Sequence, residues 1–389
     1  MANILLLGSG TQALAIIKPL HKAGHRVLLL LSGRGNYADA SRYVYKNIYS
    51  SLPLTSSDYV DLVKQVINTE GIDVLIPTGD STAEFLSKNQ QEFSGIVHFK
   101  TPSYECFLRG YDKNQLMTLC QGKGYPHPHT IDLSKIDYIH DSAVLSFPYP
   151  GLLKPNCTTG GRGMVFIHSH EDLLRVYPEI HAQYGDCHLQ RFIKAGGRQV
   201  KVQLYVNEDG ELLQHSVLHK VRWYPVKGGA SCCAVSMEDD KMVHICHQIL
   251  KDIHWIGFAD FDTIEDPDTH ELLIMEINPR LPACIGAAVH AGIDWGNVLV
   301  NHALGRTQET YNYKRGVILR HLGFDMLWFM HSPERFHTKP SWFKFFGKTV
   351  FYQDFDFFDQ KPFWVGTYHN IKKLFDPSFK KAKSGTSAI

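Results

Sequence analysis

Two short runs of the chain place carboxylates and an amide at strand spacing: Phe258-Ala259-Asp260-Phe261-Asp262 and Met275-Glu276-Ile277-Asn278-Pro279-Arg280. Alternate side chains of a strand share a face, so Asp260 pairs with Asp262 and Glu276 with Asn278. Hard oxygen donors converging from neighbouring strands suit Mg²⁺ or Mn²⁺. Mg²⁺ is usually held by one or two carboxylates together with nucleotide phosphates. Asn278-Pro279 ends its strand where Arg280 can reach an anion beside such a metal. The competing reading is a pair of solvated edge carboxylates.

Farther upstream, Leu152-Leu153-Lys154-Pro155 leads into Thr158-Thr159-Gly160-Gly161-Arg162-Gly163, a lysine at a strand end before a glycine-rich loop. Such a loop can fold over phosphates with its N–H groups, or can be an ordinary hairpin turn. Its residue order is not that of a P-loop. Tyr111-Asp112-Lys113 opens a helix with Asp112 as its N-cap. Lys220-Val221-Arg222 reads as a same-face cation pair, able to grip a substrate carboxylate through Arg222, or as a solvated strand face. The turn Gly8-x-Gly10-x-x-Ala13 has the dinucleotide pattern, but Leu31 is followed by Ser32-Gly33-Arg34 where a ribose-binding acid belongs, which argues against NAD. Cys284 and the vicinal Cys232-Cys233 read as small buried hydrophobes, and the 22 histidines form no metal-binding spacing.

The elements that must position these groups follow from periodicity. Strand-like Ile4 to Leu7 and Val27 to Leu31 flank a helical pattern at Leu14, Ile17, Leu20 and Ala23. Helical Tyr59 to Thr69 then leads into Val74 to Pro77, an alternation that predicts a parallel sheet. From Pro102 onward short helices mix with β-like runs at 200–206, 212–218, 256–263 and 272–277, an α+β pattern. The last 79 residues hold 20 of the 46 aromatics and 13 Lys/Arg against 6 Asp/Glu, which marks a distinct segment ending in a frayed, low-complexity 380–388. Its plain reading is a packing element or oligomer contact; the sharper one is peripheral membrane contact, since lysine beside Trp and Phe suits a headgroup region.

Composition removes other classes. A net charge of +1 gives no pull toward nucleic acid, and no apolar run approaches the roughly 20 residues of a spanning helix. Met1-Ala2-Asn3 lacks a basic leader, and eight dilute cysteines without zinc or disulfide spacing point to a reducing cytoplasm.

Taken in order, Asp112-Lys113, the Lys154 to Gly163 loop, Gln190-Arg191-Phe192-Ile193 with Gly197-Arg198-Gln199, Asp262 and Glu276-x-Asn278-Pro-Arg280 resemble the ATP-grasp superfamily, in the carbamoyl phosphate synthetase and biotin carboxylase branch. The resemblance implies a Rossmann-like parallel-sheet domain at 1–101. A two-lobed ATP-grasp domain would follow at 102–310 with its lid lobe near 125–195, and an aromatic, basic segment at 311–389. It also implies roles. Lys113 and Lys154 would meet ATP phosphates under a lid of Gly160, Gly161, Arg162 and Gly163. Gln190, Arg191, Phe192 and Ile193 would read adenine, with Gln199 nearby; Gln190 and Gln199 stand where the family commonly has acids. Asp262, Glu276 and Asn278 would hold Mg²⁺ and Arg280 would steady the transferred phosphoryl; Lys220 and Arg222, from their own spacing, are the candidates to meet substrate. The implied activity is an ATP- and Mg²⁺-dependent carboxylate–amine ligase working through an acyl phosphate. Its substrates would be small molecules such as amino acids or a cell-envelope precursor, and it would form a homodimer by default. A non-catalytic ATP-binding module and a biotin-carboxylase-like enzyme are the alternatives.

Overall fold

Alternation along the first strand explains the first layer of the fold. In the computed structural model, which describes residues 1–158, 160–226, 228–307 and 309–374, strands β1 (Asn3–Leu7), β2 (Arg26–Leu31), β3 (Lys46–Tyr49) and β4 (Val74–Pro77) form a parallel sheet ordered β3-β2-β1-β4. The low-complexity stretch 380–388 lies outside the described residues. Ile4 and Leu6 point to one side, against Ile16, Ile17 and Leu20 of the helix Thr11–Lys22, while Leu5 and Leu7 point to the other, against Tyr59, Val63 and Ile67. The helix Ser57–Glu70 starts where the Ser56 hydroxyl accepts from the Tyr59 N–H and stops at Gly71 in the left-handed region.

Strands β5 (Thr130–Asp132), β6 (Gly151–Pro155), β7 (Val165–Ile167) and β8 (Cys187–Arg191) build a small antiparallel sheet ordered β5-β8-β6-β7. A larger sheet collects β9 (Gln199–Val206), β10 (Leu212–Tyr224), β11 (Ala230–Met237), β12 (Gly257–Glu265), β13 (Leu272–Asn278), β14 (Ile318–Arg320) and β15 (Val350–Tyr352), ordered β13-β12-β9-β10-β11-β14-β15. One face of that sheet is apolar: Val200, Val202, Leu204, Phe261, Ile274 and Ile277 pack on Phe107, Leu116, Ile249 and Trp255. Tyr205, Leu218, Ala234 and Phe258 on the other face share a core with the helix Thr11–Lys22 and the helix Trp295–Ala303, so the N-terminal unit and the large sheet are bound through one hydrophobic cluster.

The aromatic segment is not set apart from this architecture. Its strands β14 and β15 extend the large sheet, β14 pairing antiparallel with β11 and β15 parallel with β14. The helix Leu322–His331 lies over β10 and β11, where Trp328 and Trp342 are buried against Cys232. Its anchor is charged. Asp325 accepts from Arg222 at 2.6 and 2.9 Å and from Arg320 at 2.6 Å, and all three side chains are at most 1% exposed. The carbonyls of Pro340 and Lys344 accept from Nη1 of Arg222 and of Arg320, each at 3.0 Å. Removing the carboxylate would strand two buried cations. Asp325→Ala should therefore lower unfolding free energy by about 3–5 kcal/mol in urea titration; a loss below about 1 kcal/mol, the size of an exposed pair, would refute that role.

Candidate active site

The polar face of the large sheet is assembled by register. Asp260 lies opposite Asn278 and Asp262 opposite Glu276, while on the other side of β12 Asp262 lies opposite Lys201 and Asp260 opposite Gln203. Lys201 Nζ stands 2.6 Å from Asp262 Oδ1 and 2.8 Å from Asp260 Oδ2. Gln203 donates to the other Asp260 oxygen at 2.8 Å and accepts from Ser216 at 2.7 Å. Burial drives both carboxyls upward. At Asp262, Lys201 and Lys220 outweigh it and hold the group below the usual carboxylate range. The second oxygen of Asp262 accepts from Asn278 Nδ2 at 3.1 Å. Glu276 thus sits beside Asp262, two carboxyl groups side by side on one face with the Asn278 amide next to them. Donors of this kind fit a hard divalent cation.

Arg280 follows at the strand end, its Nε 3.1 Å from Asp80 and its Nη2 3.3 Å from Asn278 Oδ1. Asp80 opens the helix Asp80–Lys88, so this contact joins the N-terminal unit to the site. The glycine turn between β1 and the following helix is occupied by its own side chains: Ser9 donates to the Asn36 carbonyl and Gln12 to that of Thr78.

The small sheet and the helix Lys113–Lys123 supply the facing cations. Asp112 caps the helix Lys113–Lys123 by accepting from the Asn114 and Gln115 N–H groups, which fixes Lys113 at its start. Lys113 Nζ donates to the Thr158 carbonyl at 2.5 Å and lies 3.6 Å from Glu276 Oε2, so one side chain touches both the glycine-rich loop and the carboxylate face. Lys154, on β6, donates to Gln190 Oε1 at 2.7 Å, and Gln190 in turn donates to Thr130. Burial pulls the Lys154 ammonium down to about 8; Glu276 opposes this and Lys113 adds to it. His188, beside Lys154 on β8, is held by Asn156 and kept neutral by burial and by the two lysines. Gly160, Gly161 and Gly163 all have positive φ, and a Cβ on Gly163 would meet Tyr184 at 2.7 Å and Pro155 at 2.8 Å. The hydroxyl of Thr158 closes this loop on the Arg162 carbonyl.

Gln190 to Ile193 leads from the small sheet toward β9. The Gln190 side chain is taken by Lys154 and Thr130, and that of Arg191 by Asp266 at 2.6 Å. Phe192 meets Phe166 edge-on and Ile193 is buried. Gln199 sits in register between Lys220 and Ile264.

The expected same-face pairing of Lys220 and Arg222 is wrong. Lys220 lies opposite Ala234 and Arg222 opposite Cys233, a register shift that adds a residue to β10 and sends the two cations to opposite faces. Lys220 stays in the field of Asp262 and Lys201, its pKa lowered by burial with Asp262 opposing. Arg222 is locked on Asp325, so it cannot clamp a substrate. Lys201, Gln203 and Asp80 entered the site unanticipated; the alternation Gln199-x-Lys201-x-Gln203 was the available signal for the first two.

Residues 135–306 match the family model for the carbamoyl-phosphate synthase L chain ATP-binding domain. A D-aspartate ligase of Enterococcus faecium is 27% identical over 248 residues, 60% of this chain and 57% of that protein. The chain spans about half the length of the curated relatives it matches. Among solved structures, the biotin carboxylase domain dimer of Hydrogenobacter thermophilus 2-oxoglutarate carboxylase, in complex with MgADP, ADP and bicarbonate, has a TM-score of 0.65 at 15% identity, covering 82% of this chain and 73% of that one. An L-amino acid ligase from Bacillus licheniformis has a TM-score of 0.57 at 14% identity, covering 79% and 75%. The likeness to these structures is one of fold, and over residues 135–306 the chain is similar to the carbamoyl-phosphate synthase L chain ATP-binding domain.

Proposed function

We propose that the chain is an ATP- and Mg²⁺-dependent ligase that joins an amino-acid carboxylate to an amine, through an acyl phosphate and with release of ADP. The observation that carries this reading is the bridge Lys154, Lys113, Glu276, in which two cations from the lid side face a carboxylate and amide row from the large sheet. Transfer of a γ-phosphoryl group is chiefly a matter of aligning and neutralising charge. Asp262, Glu276 and Asn278 would hold the metal, which supplies positive charge at the phosphate oxygens. Lys113 and Lys154 would orient the nucleotide, and Arg280, steadied by Asp80, would meet the carboxylate being activated. The glycine loop would exclude water from the acyl phosphate while the amine attacks. The choice of amino acids rests on the D-aspartate and L-amino acid ligases among the similar proteins. Eight free cysteines support a reducing compartment supplied with ATP.

Incubation with Mg-ATP, hydroxylamine and pools of D- and L-amino acids should yield ADP and a hydroxamate. Glu276→Ala should cut ADP release by at least about a hundredfold while the melting temperature stays put; a variant of near-native turnover would refute the assignment. Lys154 titrates near the working range, charged below about 8 and neutral above. ATP affinity should therefore weaken as the pH rises from about 7 to 9, approaching tenfold per unit on the alkaline side, with proton uptake on binding. Lys154→Arg should flatten that profile because the guanidinium stays charged. Calorimetric titrations in two buffers would read both effects, and an unchanged slope in the arginine variant would exclude Lys154 as the titrating group.

A further inference from the structure

The segment between Met326 and Lys348 exposes apolar side chains that a ligase site does not use. Met330 is 64% exposed, Phe336 64%, Phe343 59% and Phe346 88%. Two of them form a cluster: the Phe336 and Phe343 rings stack at 6.4 Å, and both meet Phe329 edge-on at 5.6 and 5.8 Å. They are not on a slack loop. Arg222 and Arg320 hold the Pro340 and Lys344 carbonyls, Trp342 donates to the Asp325 carbonyl at 3.0 Å, and Tyr352 donates to that of Phe345 at 2.7 Å. Bonds from buried groups beneath thus hold the segment in shape while the phenylalanines project outward, so the ordering cost of presenting them is met in folding. The same segment carries the exposed Lys339, Lys344 and Lys348 and Arg335, whose guanidinium lies over the Phe336 ring at 5.3 Å, with Glu334 the one acid between positions 326 and 348.

We propose that this patch docks on an anionic lipid surface, with Phe343 and Phe346 entering the interfacial layer and Lys339, Lys344 and Lys348 facing the headgroups. Exposed aromatics and lysines interspersed along one segment have the composition of an interfacial contact, in which apolar burial and attraction to anionic lipid act together. A second copy of the chain is a poor occupant, because a two-fold contact would set these cations against their own duplicates.

The test is cosedimentation of the full chain with vesicles of phosphatidylcholine alone or mixed equally with phosphatidylglycerol. The native chain should bind the mixed vesicles, release as salt is raised, and leave the neutral vesicles in solution. Phe343→Ser with Phe346→Ser, and separately Lys344→Glu with Lys348→Glu, should each weaken that binding about tenfold or more, with melting temperature and ADP release unchanged. Failure of the native chain to bind, equal binding to neutral vesicles, or native-like binding by both variants would overturn the proposal. So would self-association, or capture of an acidic protein, that both variants abolish while vesicle binding is absent.

Discussion

Everything at the site depends on one buried lysine. Lys201 lies between Asp260, which is fully buried, and Asp262, and a charge in such a place costs several kcal/mol unless opposite charges and hydrogen bonds surround it. The surroundings supply both: two carboxylates accept from Lys201, Gln203 donates to the deeper one, and Ser216 in turn donates to Gln203. That network ties β9 to β12 on the polar face just as Val202 and Phe261 tie them on the apolar face. With the register locked, Glu276 and Asn278 are delivered next to Asp262 by the pairing of β12 with β13. A slip of one residue would turn the carboxylates into the hydrophobic layer and the apolar residues out.

Around this fixed face the other parts hold complementary positions. The small sheet brings Lys154, and Lys113, at the start of its helix, contacts both the loop carbonyl at Thr158 and the carboxylate of Glu276. The loop keeps its glycines because its backbone turns left-handed and passes close to Tyr184 and Pro155. The N-terminal unit reaches the site through Asp80 and Arg280 and is held in place by the core it shares with the large sheet. The C-terminal segment braces β10 and β11 through the cluster of Arg222, Arg320 and Asp325, so the aromatic tail contributes to the framework as well as to the surface.

What could be read from the chain alone follows from which signals are local. Strands 200–206 and 272–277, the Asp112 cap and the shared faces of Asp260 with Asp262 and of Glu276 with Asn278 come from alternation and capping, both of which are written within a few residues. Lys201 was not legible as part of the site, because a lysine in a strand is ordinarily a solvated one and only its cross-strand register sets it beside two aspartates. Arg222 misled for the same reason in reverse: the extra residue that turns it over has no signature in Lys220-Val221-Arg222, and its partner Asp325 lies 103 positions away. Strands β14 and β15 are three residues each, too short for periodicity to mark them against a background of aromatics.

The central claim is that this face activates a carboxylate by phosphorylating it. With the amino acid that supports ADP formation labelled by heavy oxygen in its carboxyl group, the phosphate released on amide formation is collected and weighed by mass spectrometry. An acyl phosphate requires that each phosphate carry away one carboxyl oxygen, so label should appear in phosphate in step with ADP. Phosphate free of label, formed at the same rate as product, would mean that the carboxylate was never phosphorylated and would contradict the account.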